Sequence, residues 1–190
     1  MKFLASRTRL ALLALFLFPF AGYASQATDQ VASDVAFETA LAQFNRARQG
    51  DAGQLDSAIT GFQAAPGNPA LQPLYTAYLG SAQTLKGKAA WLPWNKLKFT
   101  EQGLDQIDQA LASLRPEHDR LLVRGTPTSL LTRLAAAATF VALPDGLFHR
   151  RAAGKAMLAE IRRSPLLAAA PAGFRAELGA IEARLQEAEK

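Results

Sequence analysis

Apolar residues recur at intervals of three and four along most of this chain, which is the spacing of one face of an α-helix. The clearest example runs from Leu74 to Pro116 and predicts two amphipathic helices with polar residues on their outer faces. The predicted buried positions are Leu74, Tyr75, Tyr78, Leu79, Ala82 and Leu85 in the first helix, and Leu97, Leu104, Ile107, Leu111 and Leu114 in the second.

The same spacing predicts helices before this pair. Val31 to Arg48 is expected to form the first helix of the folded domain. Asp51 and Gln54 have the spacing of a capping box and predict the start of a second helix. Asn68 followed by Pro69 predicts an N-cap with proline at the first helical position.

The second half of the chain is also expected to be helical. A short helix is predicted through Leu121 and Leu122, another from Thr126-Pro127, and a third from Pro144 through Ile161. Ser164-Pro165 and Pro171 predict two further starts, and β-branched residues are too sparse to predict a strand. The expected fold is all-α, with seven or eight helices in antiparallel hairpins. Phe174, Leu178, Ile181 and Leu185 form the buried stripe of the last helix.

Small and aromatic residues recur within the first half in a repeated order. The positions are Ala58, Phe62, Ala65 and Pro69, then Tyr75, Tyr78, Leu79 and Gly80, then Gly103, Ile107, Ala110 and Pro116. The stretch from Phe37 to Pro116 therefore resembles the tetratricopeptide repeat. Ala58 and Gly103 are 45 residues apart, against about 34 in that family, which predicts an insertion at Trp91 to Lys96. The resemblance implies a helical array that binds peptides or partner domains; a compact helical bundle is the alternative.

The N-terminus has the outline of a secretory signal peptide. Basic residues precede an apolar run from Leu10 to Phe20, and small residues follow it. We expect a signal peptide at residues 1–24, with cleavage after Ala24 or Ala27, and one all-helical domain at 25–190. The apolar run is about half of the roughly 20 residues that span a bilayer, so no stable membrane anchor is expected after cleavage. The expected location is periplasmic or secreted.

Composition limits the classes of partner and cofactor. The chain has no cysteine, which excludes disulfides and a cysteine-linked lipid anchor. Its formal charge of +5 falls to +2 when Lys2, Arg7 and Arg9 are removed with the signal peptide. Residues 115–163 carry nine basic and four acidic side chains, which predicts a weak basic face. This charge is too small to predict binding to nucleic acid.

Both tryptophans lie in the predicted connection between the two central helices. Trp91 and Trp94 flank Pro93, and lysines occur on both sides of them. Three roles are possible for these rings: covering the open end of the helices, docking a protein partner, or touching a membrane surface. Burial is the expected role, because a soluble domain rarely leaves two tryptophans exposed.

Catalytic and metal-binding patterns are weak. Glu117-His118-Asp119 contains metal-ligand types, but adjacent helical residues point in different directions. Gly80 to Lys88 lacks the spacing and the hydroxyl residue of a phosphate-binding loop. No nucleophile elbow occurs. We therefore expect no enzyme, no metal and no cofactor.

The expected function is to bind a protein or peptide in a groove between helices. Arg120 and Arg124 are four residues apart, which predicts that they share one side of a helix, either as a carboxylate site or as a salt-bridged face. An alternative is a carrier of an apolar small molecule. A carrier needs a closed apolar cavity, whereas a peptide groove is open and carries polar groups. The candidate partner-binding residues are Trp91, Trp94, Lys96, Arg120 and Arg124, and the carrier cavity would be lined by Phe140, Leu143, Phe148 and the tryptophans.

Overall fold

A computed structural model of the chain describes residues 21–64, 66 and 68–188, with side chains from residue 35 onward. Residues 1–20 of the predicted signal peptide lie outside this description, as do the side chains at both predicted cleavage sites. Ala65 of the repeat pattern also lies outside it. The signal peptide therefore stays a prediction.

The all-α prediction is confirmed for the described residues, which form eight α-helices and one two-stranded hairpin. The first helix begins at Ala21 in place of Val31. The elements are α1 (Ala21–Arg48), α2 (Leu55–Gln63), α3 (Gln72–Ala89), α4 (Pro93–Ala112), β1 (Leu122–Val123), β2 (Thr126–Pro127), α5 (Thr128–Ala142), α6 (Asp145–Phe148), α7 (Arg151–Arg163) and α8 (Ala172–Ala188).

The helix α3 is the central element. It forms an antiparallel hairpin with α4, and it also packs on α2, α5 and α1. The apolar stripe predicted for α3 is buried at Leu74 and Tyr75. The prediction that polar residues occupy an exposed face is wrong for Ser81, Gln83 and Thr84, which are all buried. Neighbouring helices surround α3 on most sides, so its polar residues are enclosed as well.

The described residues form two main hydrophobic cores. The first joins α1, α2 and α3 around an aromatic cluster in which Phe62 contacts Phe37, Phe44 and Tyr78, with ring centroids 5.5–6.2 Å apart. The second joins α5, α7 and α8, with Ile161 and other aliphatic side chains at its centre. Alanine-rich α5 connects the two cores, because its small residues let α3 and α7 approach it from different sides.

The short helix predicted through Leu121 and Leu122 is wrong, and a β-hairpin occupies this position. Leu122 pairs with Pro127 and Val123 with Thr126 in antiparallel register. The turn between them is Arg124-Gly125, and both residues have positive φ, 53° and 74°. Positive φ at both central positions defines the type I′ turn that suits a two-residue hairpin.

Of three predicted helix starts, one is confirmed and two differ from the prediction. Asp51 makes no side-chain capping bond, and a 3₁₀ turn precedes α2, so the predicted capping box is wrong. Asn68 is confirmed as a cap, because its Oδ1 accepts a hydrogen bond from the amide of Ala70 at 3.0 Å. The helix predicted from Pro144 through Ile161 is divided at His149, whose φ of 53° is left-handed and ends α6.

Candidate functional site

The connection between α3 and α4 is shorter than predicted. The helix α3 ends at Ala89 and α4 begins at Pro93, so only residues 90–92 lie between them. Proline is suited to the first position of a helix because it has no amide hydrogen to leave unpaired. Most of the segment from Trp91 to Lys96, where the insertion is predicted, is therefore the start of α4.

Both tryptophans are exposed to solvent. Trp91 is 91% exposed and Trp94 is 65% exposed. The expectation that they cover the end of the helices is therefore wrong. A physical reason is the close packing of the helix ends, where Gly87 approaches Thr100 and the backbone of Lys96. At this contact α3 and α4 pack directly on each other, without an indole ring between them.

The lysines around the tryptophans differ in their contacts. Lys86 pairs with Asp56 at 2.8 Å and lies 5.3 Å from the centre of the Phe99 ring. Lys88, Lys96 and Lys98 are exposed, and none of the three forms an ion pair within the described residues. Three cations therefore remain available beside the indole rings.

Arg120 and Arg124 do not share one face of a helix, so that prediction is wrong. Arg120 is exposed after the 3₁₀ segment Pro116–Asp119. Arg124 lies in the turn of the β-hairpin, where its Nε is 3.3 Å from the Oε1 of Glu38 on α1. Arg120 follows the 3₁₀ segment and Arg124 is in the hairpin turn, so the two residues do not lie on one helix.

His118 has a structural role in the described part of the chain. Its ring is buried, and its Nδ1 accepts a hydrogen bond from the amide of Arg115 at 2.7 Å. The carbonyl of His118 accepts a second bond from the hydroxyl of Thr128 at 2.9 Å. His149 is exposed at the end of α6. No group of three potential metal ligands occurs among the described residues.

One cleft among the described residues lies between the two hydrophobic cores. Its walls are formed by α1, α3, α5 and α8, and its volume is about 580 Å³. One wall is lined by small residues of α5, including Ala135, Ala138 and Ala142, which leave space above the helix. We name this feature the central cleft. Its other lining residues are Phe44, Asn45, Arg48, Gln49, Tyr78, Ser81, Thr84, Leu85, Lys88, Leu134, Thr139, Leu143, Glu177 and Arg184.

Polar groups are fixed on the inner surface of the central cleft. The hydroxyls of Ser81 on α3 and Thr139 on α5 are 2.7 Å apart. One hydroxyl donates to the other, and the hydroxyl that accepts this bond can donate to a carbonyl of its own helix, which is Ala77 for Ser81 and Ala135 for Thr139, each at 2.9 Å. These bonds connect α3 to α5 and set the spacing of the two walls.

The charges of the central cleft are mostly positive. Arg48, Lys88 and Arg184 line it together with one acid, Glu177. The three cations make no ion pair with described residues, although the Arg48 guanidinium lies 5.7 Å from the centre of the Phe44 ring. The cleft thus combines an apolar wall with cationic groups that can bind carboxylates and carbonyls.

Tyr78 connects the aromatic core to the central cleft. Burial of the phenol and the nearby Glu177 carboxylate raise the pKa of Tyr78 above its ordinary value of 10. Arg48 and Arg124 lower that pKa to a smaller extent. The hydroxyl therefore remains protonated, as a potential hydrogen-bond donor, in neutral solution.

The residues predicted to line a carrier cavity do not form one. Phe140 is buried against Leu104 and Ile107, and Phe148 packs on the same cluster. Leu143 lines the central cleft, whereas both tryptophans are exposed elsewhere. The predicted carrier site is wrong in its composition, because Phe140 is part of the packed core between α4 and α5.

Comparisons with known proteins give no family or relative for this chain. No family model, curated protein or solved structure matches it. None of the helices in the described part of the chain is both long enough and apolar enough to cross a membrane.

Proposed function

We propose that this chain is a non-enzymatic binding module that holds a peptide or a segment of a partner protein in the central cleft. The observation that carries this proposal is the combination of an open cleft, an apolar wall and unpaired polar groups. A closed apolar cavity would suit a carrier of small molecules, whereas an open groove with polar groups suits a peptide.

The lining can contact the apolar side chains of a peptide and also its carbonyl and carboxylate groups. The small side chains Ala135, Ala138 and Ala142 leave space for an apolar side chain of the partner. The ammonium of Lys88 and the guanidinium of Arg184 can donate hydrogen bonds to peptide carbonyls or carboxylates. Four charged residues in the lining make an apolar small molecule a less suitable occupant.

The arrangement of the first four helices supports a repeat-like scaffold. The pair α1 and α2 packs through Ala40 and Gly61, and the pair α3 and α4 packs through Gly80 and Gly103. Each pair is an antiparallel hairpin with small residues at its closest contact. Stacked helical hairpins form the binding surfaces of tetratricopeptide proteins, and we include this likeness in the proposal.

The N-terminal sequence supports action outside the cytoplasm. We propose that residues 1–24 direct export and that the protein acts in the periplasm or after secretion. N-terminal sequencing of exported protein should give Ser25 or Thr28 as the first residue, and an intact Met1 on that protein would contradict this proposal.

Charge reversal tests the central cleft. The double variant Lys88→Glu and Arg184→Glu changes two exposed cleft cations, and it should abolish affinity capture of the partner from a periplasmic extract. The matched control, Arg46→Glu with Arg163→Glu, makes the same change in net charge outside the cleft. Capture that is equal with the two variants would argue against the cleft as the binding site.

A further inference from the structure

We propose that the exposed end of the α3–α4 hairpin docks reversibly on a membrane surface that contains anionic lipids. We name this end the tryptophan tip, formed by Lys88, Trp91, Trp94, Lys96, Leu97 and Lys98. Lys88 borders both the tip and the central cleft, whereas the other residues of the tip do not line the cleft. The proposal does not depend on peptide binding.

The apolar part of the tip consists of three side chains at the start of α4. Trp91 and Trp94 are exposed, and Leu97 is 43% exposed on the following turn. Tryptophan is enriched at membrane–water interfaces, because its ring is apolar and its indole N–H can bond to polar headgroups. Two tryptophans and one leucine support shallow and reversible insertion, which is distinct from a stable anchor.

The charges around the tip match an anionic surface. Residues 86–100 contain four lysines and no acidic residue. Lys86 is paired with Asp56, so the lysines at 88, 96 and 98 remain available. Basic side chains next to an interfacial apolar group strengthen binding to anionic lipid headgroups.

The charge of α4 changes sign immediately after the tip. Residues 101–108 contain Glu101, Asp105 and Asp108 and no basic residue. With a rise of about 1.5 Å per residue, Asp105 lies roughly 16 Å along the helix from Trp94. An anionic membrane would therefore attract the tip and repel the rest of the outer face of α4. This charge distribution favours an orientation in which the end of the α3–α4 hairpin points toward the membrane.

An acidic protein surface is a less suitable partner than a membrane. Trp91 has almost none of its ring packed against its own chain, so the ring is not held in one position for a matching protein pocket. Protein interfaces gain affinity when such anchors are held in place before binding. A lipid surface requires no matching pocket. The mobility of the Trp91 ring therefore reduces affinity for a membrane less than affinity for a protein.

Intrinsic fluorescence tests the proposal, because both tryptophans of the chain lie in the tip. The full chain is mixed with vesicles of phosphatidylcholine alone or with added phosphatidylglycerol. We expect a blue shift, and quenching by brominated lipid, only with phosphatidylglycerol. The apolar stretch at residues 10–20 contains no tryptophan, so lipid binding by that stretch does not give this signal.

Charge variants make the test specific. Lys96→Glu with Lys98→Glu keeps both indoles as reporters and should weaken vesicle binding by at least about tenfold. The control variant Arg46→Glu with Arg163→Glu should bind as the unmodified chain does, and circular dichroism checks that each variant is folded. The proposal is overturned by the absence of a shift with phosphatidylglycerol, by an equal shift with phosphatidylcholine, or by equal losses in both variants. A shift with polyglutamate and none with vesicles would also overturn it, in favour of an acidic protein partner.

Discussion

Gly80 and Gly103 face each other across the α3–α4 hairpin with no space for a side chain on either. A Cβ atom built on Gly80 would lie 2.5 Å from the carbonyl oxygen of Gly103, and a Cβ on Gly103 would lie 2.5 Å from the carbonyl oxygen of Gly80. Small residues allow helix backbones to approach this closely. The contact sets the position of α3, which forms one wall of the central cleft.

Replacing Gly80 by alanine should destabilise the fold. The added methyl group would meet backbone and the Ile107 side chain, and overpacking of this kind costs about 1–3 kcal/mol. Alanine regains up to about 1 kcal/mol through its higher helix propensity, so a net loss of about 1–2 kcal/mol is expected. Urea unfolding measures the difference.

Gly179 on α8 provides the matched control. Its nearest neighbour to a built Cβ is the guanidinium of Arg162 at 4.0 Å, so Gly179→Ala adds no clash. That variant should be stabilised by about 0.5–1 kcal/mol. If the variants at positions 80 and 179 had the same stability, close packing at Gly80 would not limit the fold.

The sequence predicts the helices better than their contacts. The spacing of Leu74 and Ile107 correctly identifies buried faces, because a helix repeats every 3.6 residues whatever it packs against. The enclosure of Ser81 depends on α5, which is distant in sequence, and no local pattern reports it. The β-hairpin had a signal in Arg124-Gly125, since glycine favours the positive φ of such a turn.

A groove between helices was predicted, but the charged residues that line the central cleft were not, because they are brought together only by contacts between distant parts of the chain. Its cations Arg48, Lys88 and Arg184 come from three helices that are far apart in the sequence. Each alone is typical of a solvated helix end or surface. Hydroxyl residues within apolar helical stretches, such as Ser81 and Thr139, were the available signal, because buried hydroxyls usually mark a contact or a polar site.

Arg150 and Asp108 should show measurable coupling. The guanidinium donates two hydrogen bonds to the carboxylate, at 3.1 and 2.6 Å, and joins α4 to the start of α7. A bidentate, partly buried pair should contribute about 1 kcal/mol in a double-mutant cycle with alanine. The Lys86–Asp56 pair is the comparison, and because Asp56 is 81% exposed its coupling should be about 0.5 kcal/mol or less. Equal couplings would contradict the role assigned to bidentate geometry.

Tyr78 should retain its proton at alkaline pH. Its pKa is raised mainly by burial and then by Glu177, so the folded state holds the proton after the unfolded state has lost it. The stabilising contribution is therefore complete below about pH 10 and is lost as the pH rises above that value. Ultraviolet titration of Tyr78→Phe should lack one step above the ordinary tyrosine range, and Glu177→Gln should lower the pKa of Tyr78 without returning it to that range. An unchanged titration in Tyr78→Phe would refute the assignment.

The tryptophan tip should contribute little to stability. Replacing Trp91 and Trp94 together by alanine should change the free energy of unfolding by no more than about 0.5 kcal/mol, because both rings are exposed. Phe62→Ala in the aromatic core provides the contrast and should cost about 3–5 kcal/mol. Thermal melting followed by circular dichroism distinguishes the two. A large drop in the tryptophan variant would show that the rings are packed in solution.

Site-specific photocrosslinking tests the central cleft most directly. A photoreactive amino acid at Ala142, exposed on the cleft wall, is compared with the same amino acid at Ala159, exposed on α7 outside the cleft. Irradiation in producing cells should give one defined adduct with a peptide or protein at position 142, none at 159, and loss of the adduct when Lys88 and Arg184 are changed to glutamate. Absence of an adduct at 142, or the same adduct at both positions, would contradict a binding function for the cleft.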